Sequence, residues 1–222
     1  MLIIPAVLEK NSSSFFVQIK RLTSYFRYFQ IDIADGKYVP NRTLQIEDLE
    51  NHLPHFHFNN LTQSLIFDFH LMVKDYHHEV EKLIRLQHLM KIRHVFIHAS
   101  LAPPLPSLIL NFRSVTLGLV LNPEDKVADL KKKYKFERIP VIQIMTIHPA
   151  FQGTPFLSET LHKIEELRTS GYTNKIFLDG GIDDLILTHI ASQRYLPDAV
   201  VIGSFLTKSK DLKKSVDQIK TP

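Results

Sequence analysis

The chain has 222 residues, enough for a full hydrophobic core and for either one large α/β barrel or two small domains. It has no cysteine, which excludes disulfides and thiol chemistry and makes a cytoplasmic location the expectation. No apolar run reaches the roughly 18 residues of a membrane span, and the start of the chain lacks the features of a signal peptide. The net charge of +4 comes from dispersed basic residues without a nucleic-acid-binding motif, so we expect neither a membrane nor a nucleic acid as partner.

The predicted elements alternate between short apolar runs and amphipathic stretches. In chain order, strands are predicted at 2–7, 28–33, 65–70, 93–98, 115–120, 140–146, 175–179 and 199–203, and helices at 13–26, 44–51, 76–89, 103–111, 124–134, 156–169, 183–193 and 205–219. Eight strand-helix pairs predict a (β/α)8 TIM barrel, an α/β fold that forms a single domain over residues 1–222. A doubly wound open sheet shows a similar alternation, but the count of eight and the even spacing favour the barrel.

Two aspartates lie at the predicted carboxyl ends of strands, where barrels of this kind carry their chemistry. Asp32 ends the second strand and Asp179 the seventh, on roughly opposite sides of the barrel. Two carboxylates that face each other across a small substrate can remove a proton from one face and return one to the other, which inverts a stereocentre next to a carbonyl. Either aspartate alone could be a helix cap or a loop acceptor, but both together favour acid/base catalysis.

A candidate metal site accompanies these aspartates. His70 ends the third strand, and one imidazole with two carboxylates is a ligand set for a divalent ion. Gln30 lies two residues before Asp32, hence on the same strand face, and could add a weak ligand through its neutral carbonyl oxygen. A single histidine at the end of a strand is more often a core or rim residue. The interpretation of His70 as a metal ligand therefore depends on the two aspartates.

Glycine-rich strand ends suggest a phosphate site. Gly180 and Gly181 follow the seventh strand, Gly203 and Ser204 follow the eighth, and Gly153 lies in the loop after the sixth. Barrels often bind phosphate at these strand ends with backbone N–H groups, which glycine lets approach an anion closely.

Seven motifs, in chain order, resemble those of the ribulose-phosphate 3-epimerase family over nearly the whole chain. Residues 30–41, QIDIADGKYVPN, resemble its His-x-Asp, Met-Asp-Gly and Val-Pro-Asn signature, and residues 68–73, DFHLMV, resemble its Asp-x-His-Leu-Met-Val. The others are IPAVL at 4–8, GLVLNP at 118–123, the loop at 145–156, LDGGI at 178–182 and VIGS at 201–204.

The resemblance implies both a reaction and a site. Asp32 and Asp179 would be the acid/base pair that converts D-ribulose 5-phosphate to D-xylulose 5-phosphate through an enediolate at C3. These aspartates with His70, and Gln30 at the family's fourth ligand position, would hold a divalent zinc, iron or manganese ion that stabilises the enediolate. Met72 and Met145 would form an apolar wall of the site. The substrate phosphate would contact Gly153, Gly180, Gly181, Gly203 and Ser204.

Departures from the family pattern leave alternatives open. Gln30 stands where the family has a metal-ligating His, Ala6 where it has a Ser, and Ala34 where it has a Met, and the loop after strand six differs at Ala150, Gln152 and Thr154. The chain could instead epimerise another ketose phosphate, such as allulose 6-phosphate, or bind a sugar phosphate without catalysis. An aldol-type synthase or decarboxylase is disfavoured, because the Asp-x-Lys-x-x-Asp pattern of those barrels is absent. The expected partner is a small sugar phosphate, and a homo-oligomer is compatible with the sequence.

Overall fold

A computed structural model of the chain describes residues 1–55, 64–149 and 154–220, and within these eight parallel strands close into a barrel. Each strand pairs with the next along the chain, and the last pairs with the first. The (β/α)8 architecture predicted from the sequence is therefore confirmed. The strands are β1 Leu2–Val7, β2 Tyr28–Ala34, β3 Ile66–Met72, β4 Lys91–His98, β5 Thr116–Leu121, β6 Val141–Met145, β7 Lys175–Asp179 and β8 Ala199–Ile202.

Helices cover the outside of the barrel. They are α1 Ser12–Leu22, α2 Ile46–His52, α3 Tyr76–Leu86, α4 Leu105–Asn111, α5 Val127–Lys133, α6 His162–Thr169, α7 Asp184–Ala191, α8 Ser204–Thr207 and α9 Leu212–Lys220. Across the described ranges, no helix combines the length and the apolar character that crossing a membrane requires.

The predicted continuous helix at 205–219 is wrong, because the chain forms two helices there, α8 and α9. Asp211 lies between them, and its side chain accepts a hydrogen bond from the backbone N–H of Lys214 at 3.1 Å. An aspartate that accepts from a backbone N–H three residues on is a helix N-cap, so it starts a new helix. The amphipathic pattern runs through both helices, and periodicity alone therefore does not reveal the break.

The strands send alternate residues to two separate cores. On β2, Phe29, Ile31 and Ile33 pack outward against the helices. Gln30 and Asp32, also buried, have the opposite parity and point into the barrel. The same alternation on the other strands fills the barrel interior with apolar side chains such as Ile4, Phe96, Val141, Phe177 and Val201. The polar residues of the site thus lie inside the barrel, above this apolar layer.

A buried ion cluster within the barrel belongs to the fold and not to the site. Asp68 on β3 is 1% exposed and accepts a hydrogen bond from Arg93 Nε at 2.9 Å, with His94 Nδ1 3.0 Å from the same carboxylate. Burial alone would raise the pKa of Asp68, but its hydrogen bonds to Arg93 and His94 lower it below the ordinary value. The Arg93 guanidinium in turn lies 4.5 Å from the ring centroid of Tyr28. Asp68, two residues before His70, is therefore explained by its pairing within this cluster and not by a role at the site.

Candidate active site

Three strand ends bring Asp32, His70 and Asp179 together. One ligand atom from each residue lies within 4.8 Å of the others, and the three side chains are almost fully buried. Strand register produces the cluster: Asp32 on β2 pairs directly with His70 on β3, and Asp179 ends β7 beside Met145 of β6. Thr146 fixes that last strand end, because its hydroxyl donates to the Asp179 carbonyl at 3.0 Å. The sequence predicted this grouping.

The imidazole of His70 is held from one side and directed at the carboxylates on the other. Its Nε2 lies 2.9 Å from Nε2 of His98, the last residue of β4. Two facing ring nitrogens can share only one hydrogen, so one ring donates and the other accepts. Nδ1 of His70 lies 3.4 Å from Asp32 Oδ1 and 3.6 Å from Asp179 Oδ2 and has no hydrogen-bond partner among the described residues.

His98 is a site residue that the sequence reasoning missed. It is fully buried, and its ring packs against Tyr38 in a tilted arrangement with centroids 4.6 Å apart. Burial and the neighbouring His70 lower the pKa of His98 well below its ordinary value, against a smaller opposing effect of Asn122. A histidine that ends a strand adjacent to the His70 strand was the available signal. His98 is thus a buried imidazole that orients His70 by contacting its Nε2, the ring nitrogen on the side away from the carboxylates.

Two buried glutamine amides converge on the carboxylates. Gln30 Nε2 donates to Asp32 Oδ1 at 2.9 Å and to Asp179 Oδ2 at 2.6 Å. Gln143, on β6, donates from Nε2 to the same Asp179 Oδ2 at 2.8 Å. Neither amide oxygen has a hydrogen-bond partner in the described part of the chain. The sequence reasoning missed Gln143, although a glutamine inside an otherwise apolar strand was a usable signal.

Asp179 is the carboxyl group with the strongest electrostatic perturbation at the site. Burial, and then repulsion from Asp32, raise the pKa of Asp179 from its ordinary 3.8 to about 7, while His70 and the Gln30 hydrogen bond act in the opposite direction. A carboxyl group with a pKa near neutrality can both give and accept a proton under physiological conditions. The arrangement therefore offers proton transfer at the centre of the barrel mouth.

A cavity opens above the carboxylates. Most of the residues predicted for the site line it, and these are Asp32, His70, Met72, Met145, Asp179, Gly180, Gly181, Gly203 and Ser204. Gln30 bonds to the two aspartates but does not line the cavity, and Gly153 lies outside the described residues. Two of the positions that depart from the family pattern differ in their location. Ala6 lines the cavity, whereas Ala34 packs beside Met72 and does not line the cavity. Ala150 and Gln152 also lie outside the described residues.

Backbone conformation makes glycine necessary after β7. Gly180 has φ +118° and Gly181 has φ +66°, both in the region that side chains rarely adopt. A Cβ at Gly180 would also lie 2.4 Å from Ile147 Cγ1. These glycines therefore let the chain turn tightly beneath the cavity and present backbone toward it.

The residues present fit a divalent metal ion. Nδ1 of His70 is a buried nitrogen without a hydrogen-bond partner among the described residues, and it faces two carboxylate oxygens. One imidazole nitrogen with carboxylate oxygens suits zinc, iron or manganese. Asp32, His70 and Asp179 could therefore hold an ion. Gln30 turns its amide nitrogen, not its oxygen, toward them.

Known proteins resemble this chain in sequence over most of its length. The model of the ribulose-phosphate 3-epimerase family matches residues 2–207. The ribulose-phosphate 3-epimerase of Helicobacter pylori strain ATCC 700392 / 26695 is 29% identical over 198 residues, covering 86% of this chain and 83% of that protein. The ribulose-phosphate 3-epimerase of Escherichia coli K12 is 26% identical over 196 residues, covering 86% and 81%.

Solved structures share the fold at lower identity. The 3-hexulose-6-phosphate synthase of Salmonella typhimurium superposes with a TM-score of 0.65 at 12% identity, covering 99% of this chain and 96% of that one. Such a likeness concerns the barrel alone. The match to the family model over residues 2–207 goes further and confirms the resemblance seen in the sequence motifs. This chain belongs to the ribulose-phosphate 3-epimerase family.

Proposed function

We propose that this protein epimerises a ketose phosphate at C3 and that its substrate is D-ribulose 5-phosphate, converted to D-xylulose 5-phosphate. The observation that carries the proposal is the pair Asp32 and Asp179, which reach one cavity from β2 and β7 with His70 between them. Family membership supports the same reaction class.

In the proposed reaction the two aspartates exchange one proton each with C3. The C3–H bond breaks as the ionised carboxylate takes the proton, and the electron pair moves toward the C2 carbonyl to give an enediolate. The opposite carboxyl group, in its acid form, then delivers its proton to the other face of C3. After one turnover the two groups have exchanged protonation states, and proton exchange with water or a reverse turnover restores them.

We propose Asp32, His70 and Asp179 as the ligands of a divalent ion of zinc, iron or manganese. When bound, the ion would supply positive charge against the negative charge that develops on the enediolate oxygens. His98 would orient His70 for this task through its Nε2, as outer partners of metal-bound histidines do. Gln30 stands at the family's fourth ligand position, but its oxygen would reach an ion only after the amide rotates.

The remaining lining residues suit the rest of the substrate. Gly180, Gly181, Gly203 and Ser204 lie at the ends of β7 and β8 and could bind the phosphate through backbone N–H groups and the hydroxyl. Gly153 stays a sequence prediction for the same group. Met72 and Met145 give the cavity an apolar wall, which would limit access of water to the reacting carbon.

The test is a coupled assay for formation of D-xylulose 5-phosphate by metal-stripped protein supplied with zinc, iron(II) or manganese. Asp32→Asn and Asp179→Asn should each abolish turnover while the protein stays folded. Asp183→Asn is the matched control, because Asp183 caps α7 in the loop after β7 and asparagine caps equally well. Full activity in either site variant would refute the two-aspartate assignment.

A second function, binding of a sugar phosphate without catalysis, is favoured by one observation. The amides of Gln30 and Gln143 already engage the carboxylate oxygens that catalysis needs. Binding of D-ribulose 5-phosphate without turnover, in protein loaded with metal, would support this function. Turnover of allulose 6-phosphate alone would instead indicate an epimerase with another substrate.

A further inference from the structure

The amide nitrogen of Gln30 occupies the position between the proposed metal ligands. It lies 2.9 Å from Asp32 Oδ1 and 2.6 Å from Asp179 Oδ2. These are the same two oxygens that lie 3.4 Å and 3.6 Å from Nδ1 of His70. The amide therefore contacts carboxylate oxygens of two of the three residues that would hold an ion at this site.

The hydrogen count of this amide fits the bridge. An NH₂ group has two hydrogens, so Gln30 can give one to each aspartate. Hydrogen bonds to a carboxylate are stronger than those between neutral groups, and burial strengthens them further. Both carboxylates thus receive a donor where like charges would otherwise repel each other. No full positive charge is needed to keep them together.

Gln143 strengthens the arrangement from a neighbouring strand. Its Nε2 donates to Asp179 Oδ2 at 2.8 Å, so this oxygen accepts two amide hydrogens. The oxygens of both glutamines are buried without hydrogen-bond partners among the described residues. Leaving a buried acceptor unpaired is costly, which indicates that the attraction of the N–H groups to the carboxylates determines how the amides point.

We propose that the Gln30 amide, supported by Gln143, is a built-in substitute for the divalent cation in the metal-free protein. It holds Asp32 and Asp179 together, and it has to leave their oxygens before an ion can bind. An ion held by these two carboxylate oxygens would compete with the amide hydrogens for the same acceptor atoms. This inference rests on the metal site of the proposed function, but it concerns binding and not turnover.

The first test compares the manganese affinity of wild type, Gln30→Ala and Gln143→Leu, with the free ion measured by electron paramagnetic resonance. Gln30→Ala removes the competitor together with its two hydrogen bonds to the carboxylates, and it should bind manganese about 100-fold more tightly, because each charged hydrogen bond corresponds to about tenfold in affinity. Gln143→Leu is the matched control: it removes one donor from Asp179 and none from Asp32, so its gain should be smaller. Equal or weaker binding by Gln30→Ala would overturn the proposal.

A second test does not depend on folding of the Gln30 variant. In protein labelled with ¹⁵N at glutamine side chains, Asp32→Asn should shift the amide resonance of Gln30 but not that of Gln143. Asp179→Asn should shift both. Zinc added to wild type should move the Gln30 resonance, and zinc binding that leaves it in place would overturn the proposal. Neither test uses a sugar, so absence of turnover would refute the proposed function alone.

Discussion

Asp179→Asn removes an ionisable group and keeps a side-chain oxygen that can accept the amide hydrogens of Gln30 and Gln143. In wild type, burial and the charge of Asp32 raise the pKa of Asp179 from 3.8 to about 7. The folded state therefore holds a proton that the unfolded chain loses above about pH 4. The stability that this proton contributes is fully present below pH 3.8 and is lost as the pH rises through about 7.

The size of this effect follows from the two pKa values. Between pH 5 and pH 8, wild-type Asp179 should lower the free energy of unfolding by about 3 kcal/mol, because each unit of pKa difference corresponds to about 1.4 kcal/mol. The Asp179→Asn variant has no ionisable group at this position, so its free energy of unfolding should not fall for this reason between pH 5 and pH 8. Relative to wild type, the variant should therefore become more stable by about 3 kcal/mol from pH 5 to pH 8.

The measurement is urea unfolding of metal-free protein, in the presence of a chelator, at pH 5 and pH 8. The control Asp183→Asn should follow wild type at both values, because its cap persists. A stability difference between wild type and Asp179→Asn that is the same at pH 5 and pH 8 would refute the reasoning. The same variant should lose about 10²-fold or more in kcat, the smallest effect expected for loss of a general acid/base.

Three further predictions concern the surroundings of the site. His98→Phe should weaken metal binding about 10–100-fold, because His70 loses the partner of its Nε2, and unchanged manganese affinity would contradict this role. Gly180→Ala should destabilise the fold by about 2 kcal/mol or more, given its φ of +118° and the clash with Ile147, and an unaltered melting temperature would refute that account. Arg93→Met should destabilise by about 3–5 kcal/mol, since it removes the guanidinium that pairs with the buried Asp68 carboxylate, yet should not alter manganese affinity at a temperature where the variant is folded.

The sequence was sufficient for the barrel, because eight apolar runs of strand length, evenly spaced, have few other solutions. The sequence was also sufficient to predict that Asp32, His70 and Asp179 lie together, since the carboxyl ends of the strands of a closed barrel surround one opening. The break at Asp211 was not predicted, because the hydrophobic period continues across it while the cap is a local hydrogen bond.

The polar partners of the site required three-dimensional information. Gln143 lies inside an apolar run, and only the inward parity of β6 and its position beside β7 bring its amide to Asp179. His98 contacts His70 because β3 and β4 are neighbours, and its function depends on a nitrogen-to-nitrogen distance that no motif encodes. For Gln30 the residue was identified in advance, but the direction of its amide depends on the charges around it.

The assay of D-ribulose 5-phosphate conversion to D-xylulose 5-phosphate, in metal-stripped protein with zinc, iron(II) or manganese restored, tests the central proposal. We predict turnover that depends on the added metal and disappears in Asp179→Asn. Folded protein that binds metal and shows no turnover with any of the three ions would contradict it.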